Sequence, residues 1–177
     1  MPGLITLLDD HHADNVRAIQ ETMAVEFGVT RGYPGDVPHF TYHLASGYDI
    51  GAASEVTRRI ARATHPFSVA TSGFGVFTGA ELTLYIPVAR SGQLAALHRR
   101  ICDEMEAAGQ PNDRYYHPDR ALPHITITQQ NVPRDALPAV LTWLAGQDFS
   151  WDVPVTNLAL AEPTADGAHI FGRWNFP

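Results

Sequence analysis

Short apolar runs alternate along this chain with longer segments whose apolar residues recur at helical spacing. Leu4 to Leu8 is a brief apolar run and predicts a strand. Asp9 to Asp14 supplies helix-starting residues. Val16, Ile19, Met23 and Phe27 then follow at helical spacing until Gly28. A Gly/Pro-rich loop over 31–37 leads to an alternating stretch, His39 to Ala45, that predicts a second strand. Ala53, Val56 and Ile60 mark a second helix. Phe67 to Phe77 predicts a strand with glycine breaks, and Gly79 a turn.

The order then restarts. Leu82 to Val88 predicts a strand, and its Leu82 to Ile86 matches Leu4 to Leu8. Ser91 caps a helix carrying Leu94, Leu97, Ile101 and Met105, closed by Gly109. A Pro/Asp/Arg-rich loop leads to the strand His124 to Gln130. Pro133 opens a helix with Leu137, Val140, Leu141 and Leu144, closed by Gly146. Phe149-Ser150 echoes Phe67-Ser68, and the last strands run through Leu158 and through Ile170 to Trp174. The histidines are 85 residues apart and the Phe-Ser pairs 82, which implies an internal duplication. The units lie near 3–80 and 81–177 of one bilobal domain, 1–177. The expected class is α+β: two similar lobes, each a small, mostly antiparallel sheet with outer helices, and a central groove between them.

The repeat carries chemistry. Pro38-His39-Phe40-Thr41 and Pro123-His124-Ile125-Thr126 share one pattern. Side chains alternate across a strand, so His39, Thr41 and His43 are expected on one face, with Phe40, Tyr42 and Leu44 opposite. His124, Thr126, Thr128 and Gln130 are likewise expected opposite Ile125 and Ile127. The apolar faces cover helices, and the polar faces need water or a ligand. Packing about a pseudo-twofold axis would bring both polar faces into one groove. One neutral imidazole there can take a proton from an attacking hydroxyl or water while a protonated one supplies the leaving oxygen. Threonine hydroxyls can donate to the non-bridging oxygens of a phosphate.

These motifs resemble the two-histidine phosphoesterase superfamily of 2′-5′ RNA ligase-like proteins, whose hallmark is a pair of His-x-Thr/Ser motifs in two similar α+β lobes. The likeness extends to Thr71-Ser72-Gly73-Phe74-Gly75-Val76-Phe77, a short turn, and the strand Glu81 to Val88. The resemblance implies that His39 and His124 are the catalytic pair and that Thr41 and Thr126 bind phosphate. It also implies no metal or other cofactor, and a reaction that opens 2′,3′-cyclic phosphates of RNA ends or nucleotides to 2′-phosphates. RNA 2′-5′ ligation through the same site is one alternative, and a nucleotide- or phosphate-binding module without turnover is another. The chain departs from many RNA-acting members after the second motif, where Gln129 and Gln130 replace a basic residue.

Further candidates surround the motifs. His43 is a candidate through its place on the motif face. Tyr33, Phe77, Tyr115 and Tyr116 can stack on a base. Arg114 and Arg120, in the loop before the second motif, can hold phosphate. His11, His12 and His98 are expected on solvated helix faces, and Cys102 as a packing residue rather than a nucleophile. Gly73-x-Gly75 is no dinucleotide fingerprint, since Thr78 stands at the third glycine and a strand follows. No carboxylate or cysteine recurs at ligand spacing beside the histidines.

Charge narrows the partners. The 177 residues carry a net charge of −7, which disfavours a long nucleic-acid track and leaves an RNA terminus or a small cyclic nucleotide. No apolar run reaches the length of a membrane helix, so no membrane partner is expected. The start MPGLITLLDD lacks the basic opening of a signal peptide, and with the lone Cys102 this points to a cytoplasmic protein.

Overall fold

The structure, a computed structural model, describes residues 1–29, 37–129, 132–164 and 167–177. The first half runs β1 (Gly3–Leu7), α1 (Asp10–Phe27), β2 (His39–Leu44), α2 (Ile50–Arg62), β3 (Phe67–Ala70) and β4 (Gly75–Phe77). The second runs β5 (Thr83–Pro87), α3 (Gly92–Ala107), a 3-10 turn (Arg114–Tyr116), β6 (His124–Gln129), α4 (Leu137–Leu144), β7 (Asp152–Val155), β8 (Asn157–Thr164) and β9 (Gly167–Asn175). This is the expected mixed α+β class.

Local chemistry sets the helix ends. The Asp9 carboxylate accepts from the His12 N–H and caps α1, while Ser91 accepts from the Leu94 N–H and caps α3. Gly28 (φ 66°) closes α1 in the left-handed conformation, where its N–H reaches the Met23 carbonyl.

The expected strand over Phe67–Phe77 is two strands. Gly73, at φ 63°, turns the chain between them. β3 pairs with β7 in a two-stranded sheet, and β4 joins the main sheet of order β4-β5-β6-β2-β1-β8-β9. The segment expected to mirror Phe67-Ser68 also shifts: the strand begins at Asp152, while Phe149 is packed in the core.

Register exposes the symmetry. On β1, Leu4, Ile5, Thr6 and Leu7 face His43, Thr41, Phe40 and His39. On β5, Leu84, Tyr85, Ile86 and Pro87 face Thr128, Thr126, Ile125 and His124. The pattern is the same in both, including one extra residue on the motif strand, Tyr42 or Ile127. β2 and β6 meet antiparallel at Phe40 and Ile125, the equivalent positions of the two motifs.

The halves complete each other. β4 of the first half lies on β5 of the second, and β8 of the second lies on β1 of the first. α1 packs over β6 and α3 over β2. Gln20 of α1 donates to the Ile127 carbonyl at 2.8 Å. One large core lies between sheet and helices, built on Leu4, Phe40, Tyr42, Leu84, Ile86, Ile125 and Ile127. On the opposite face a small apolar floor joins Ile5, Leu7, Ala159 and Ala161.

Asn157 fastens this floor. Its side-chain amide donates to the Leu7 carbonyl (2.9 Å) and accepts from the Leu7 N–H (3.1 Å), all buried. Asn157→Ala is expected to cost about 1–3 kcal/mol, because it strands buried backbone groups. The check is a lower urea midpoint at unchanged slope, and an unchanged midpoint would contradict the assignment.

Candidate active site

A cleft of about 310 Å³ opens on the helix-free face and is lined by His39, Thr41, His124 and Thr126 together. The prolines help to place them. The Pro38 carbonyl accepts from the Leu8 N–H at 3.1 Å, and the Pro123 carbonyl from the Val88 N–H at 2.9 Å. Each ladder is therefore closed one residue before its histidine. The antiparallel register then sets His39 opposite Thr126 and Thr41 opposite His124. The two histidines are diagonal neighbours on adjacent strands, a relation in which the backbones stand about 7–8 Å apart.

Both imidazoles are oriented alike. His39 Nδ1 bonds the Val37 carbonyl at 2.7 Å, and His124 Nδ1 bonds the Leu122 carbonyl at 2.8 Å. A carbonyl only accepts, so each Nδ1 carries the hydrogen and proton exchange falls to Nε2. Burial pulls the His124 pKa below the ordinary imidazole range. Its bond to Leu122 opposes this, and the nearby charge of His39 adds to it.

Phe77 and Tyr85 wall the His124 side. Their rings stack at 4.0 Å and meet the His124 ring edge-on at 4.9 and 5.4 Å. Gly75 makes room, since a Cβ there would overlap the Tyr85 ring. Tyr85 is a residue that sequence reasoning misses, because an aromatic inside an apolar strand reads as core. Its usable signal is its alignment with Ile5 in the repeat. At the matching register the first half has Ile5 and Ala161 where the second has Tyr85 and Phe77. The cleft is therefore filled on one flank and open on the other.

Other expected residues fall elsewhere. His43 does not share the motif face. The extra residue at Tyr42 breaks the alternation, and His43 turns into the helix side, fully buried, with Nδ1 bonded to the Tyr48 hydroxyl. Burial pushes its pKa down to about 4. Thr128 is turned inward by the same irregularity at Ile127. Arg114 is exposed outside the cleft lining and donates to the Tyr115 hydroxyl at 2.8 Å, with its guanidinium over that ring. Tyr115 is 67% exposed, and its neighbour Tyr116 lines the cleft instead. Asn112 and His98 both bond the Tyr116 carbonyl at 2.9 Å and so hold that turn. Arg120 is exposed on the same loop, outside the lining. Tyr33 and Gln130 lie outside the described residues.

Three side chains depart from or refine expectation. His98 and His12 are buried rather than solvated: His98 packs against Tyr42, and His12 bonds Asp9. Cys102 is buried, accepts from Asn112, and is pushed up to about 12 by burial, which suits packing rather than nucleophilic attack. Among the described residues, no group of three or more His, Cys, Asp or Glu could hold a metal ion, and no helix is long and apolar enough to cross a membrane.

Residues 8–167 match the model of the 2′-5′ RNA ligase superfamily. The chain belongs to this family. Solved structures share the fold of this family member. TT0787 of Thermus thermophilus aligns with TM-score 0.69 at 17% identity, over 99% of this chain and 97% of that one. LigT of E. coli complexed with 3′-AMP aligns with TM-score 0.63 at 18% identity, over 99% of both chains. Usb1 of Kluyveromyces marxianus with uridine monophosphate gives 0.50 at 12%, over 99% and 97%. At these identities the likeness speaks for the fold alone. No relative was found among curated protein sequences.

Proposed function

We propose that this chain is a metal-independent phosphodiesterase that opens 2′,3′-cyclic phosphates on RNA ends or nucleotides. The observation that carries the reading is the facing pair of His-x-Thr motifs in one cleft, each imidazole held through Nδ1 by a carbonyl. A phosphate between them meets two Nε2 atoms and two hydroxyls, which supply proton transfer and hydrogen bonds without further groups. LigT is complexed with 3′-AMP and Usb1 is solved with uridine monophosphate, which supports a nucleotide as the kind of ligand.

The open flank supports one division of roles. The cleft extends over β1 and the tips of β8 and β9, next to His39, while Phe77 and Tyr85 occupy the flank of His124. The nucleoside therefore lies on the His39 side and water enters on the His124 side. His124 takes a proton from water, and the resulting hydroxide oxygen bonds to phosphorus. The bond from phosphorus to O3′ breaks, and protonated His39 gives its proton to O3′, leaving the 2′-phosphate. The imidazoles end with exchanged protonation and reset through solvent. The lowered pKa of His124 favours the neutral form this role needs. A cleft of about 310 Å³ falls within the range of small-ligand sites.

The test is the pH dependence of kcat/KM. A bell is expected, because one imidazole is needed neutral and the other charged. The rising limb follows loss of the His124 proton, so its midpoint lies below the ordinary imidazole value. The limbs report the coupled pair. A profile that rises to a plateau with no falling limb would overturn the acid–base assignment.

A further inference from the structure

The repeat makes its two histidines unequal. Where the first half sets Ile5 and Ala161 in the register, the second sets Tyr85 and Phe77. Gly75 faces Tyr85, and Tyr85 faces Thr126. Directly opposed residues share a face, and Phe77 is two steps from Gly75, so all of them stand on the face of His124. Phe77 and Tyr85 lie outside the cleft lining, whereas His124 is part of it. Their contact with the chemistry therefore runs through the imidazole.

The three rings form a triangle. Phe77 and Tyr85 stack at 4.0 Å with 19° between their planes, and the His124 ring lies 4.9 Å from the first and 5.4 Å from the second. An imidazole over the outer face of either ring would be far from the other one. His124 therefore sits beside the stack, against the edges of both rings. Its plane stands at 81° to Phe77 and 64° to Tyr85. Aromatic edges carry the positive end of the ring quadrupole and favour a neutral neighbour, whereas a cation is held over a face.

The surroundings act in the same sense. Burial is the main cause that lowers the His124 pKa. His39, across on β2, is the charge that acts on it. Tyr85 on β5 is the adjacent phenol. Tyr116 and Glu162 are the phenol and the carboxylate of the cleft lining. Gly75 seats the wall, because a Cβ there would overlap the Tyr85 ring and hydroxyl. Tyr85 is buried and Phe77 half-buried, so the sheet holds both rings in place.

We infer that the Phe77–Tyr85 pair, seated over Gly75, is a positioning device for His124: it fixes the plane of the imidazole and shuts one flank of it to solvent. The inference rests on the proposed acid–base reading of the two histidines. The bond from Nδ1 to the Leu122 carbonyl sets the direction of the ring but leaves it free to swing about that bond. The two aromatic edges remove this freedom. His39 has the equivalent bond to Val37, but Ile5 and Ala161 stand where its aromatic wall would be. The device thus marks one of two otherwise similar histidines as the one kept neutral.

Imidazole titration by proton–nitrogen NMR of the full chain, with His124→Ala assigning the signal, tests this without substrate. In Phe77→Leu and Tyr85→Leu the His124 midpoint is expected to rise toward the ordinary imidazole value, and in Tyr85→Phe, which keeps the ring, to stay at the parent's. On a nucleoside 2′,3′-cyclic monophosphate both leucine variants are expected to lower kcat by about two- to tenfold, the rate equivalent of one aromatic contact. The rising limb of the pH profile should move up with the midpoint. Gly75→Ala is expected to lower kcat similarly from two strands away, since its Cβ must displace the Tyr85 ring. An unmoved midpoint in both leucine variants would overturn the inference. So would an equal rise in Tyr85→Phe, or a loss confined to KM, which would make the rings a platform for the base. Titration is read without substrate and turnover with it, so failure of the aromatic wall and failure of the proposed reaction give different results.

Discussion

His39→Ala and His124→Ala are each expected to lower kcat/KM on a nucleoside 2′,3′-cyclic monophosphate by about 10²–10⁴-fold, the usual contribution of a positioned general acid or base. The loss should fall on kcat, because each imidazole acts on a proton in flight. Both side chains lie on the open face, away from the main core, so the fold should survive. An unchanged melting profile separates lost chemistry from lost structure. The double variant should be little worse than either single one, since removing one member of an acid–base pair already disables the other. Near-parent turnover in either single variant would remove the two-histidine mechanism.

Thr41→Val and Thr126→Val carry the second large effect. Valine keeps the branched shape that suits a strand and deletes only the hydroxyl. If the hydroxyls bond oxygens that gain charge as phosphorus becomes five-coordinate, each loss should cost about 10–10³-fold in kcat with little change in KM. The threonines occupy equivalent positions in the register, so the two variants should behave alike. A raised KM at constant kcat would instead mean that they only hold the ground-state phosphate.

Much of this site is legible in the sequence because its determinants are local. Asp9, Gly28, Ser91 and Gly109 mark helix ends through their own backbone preferences, and the structure places α1 and α3 between them. The His-x-Thr pairs need only two steps of strand alternation, and both pairs line the cleft. The third step fails in each half. The extra residue at Tyr42 or Ile127 is set by the partner strand, β1 or β5, and nothing in the motif strand announces it. Simple alternation therefore puts His43 and Thr128 on the wrong face.

The exchange of strands is hidden for the same reason. β4 and β8 look like the ends of their own halves, but hydrogen bonding assigns each to the other half's sheet. Tyr85 becomes visible only once Gly75 is seen beneath its ring. Arg114 and Tyr115 sit in a loop, where spacing carries no direction, and they bond each other outside the cleft while Tyr116 faces in.

The most direct test of the central claim is phosphorus NMR of a nucleoside 2′,3′-cyclic monophosphate incubated with the full chain in excess EDTA. The expected result is loss of the cyclic resonance and growth of a single new one, that of the nucleoside 2′-monophosphate. An unchanged cyclic resonance, or turnover that returns only when a divalent metal is restored, would contradict it.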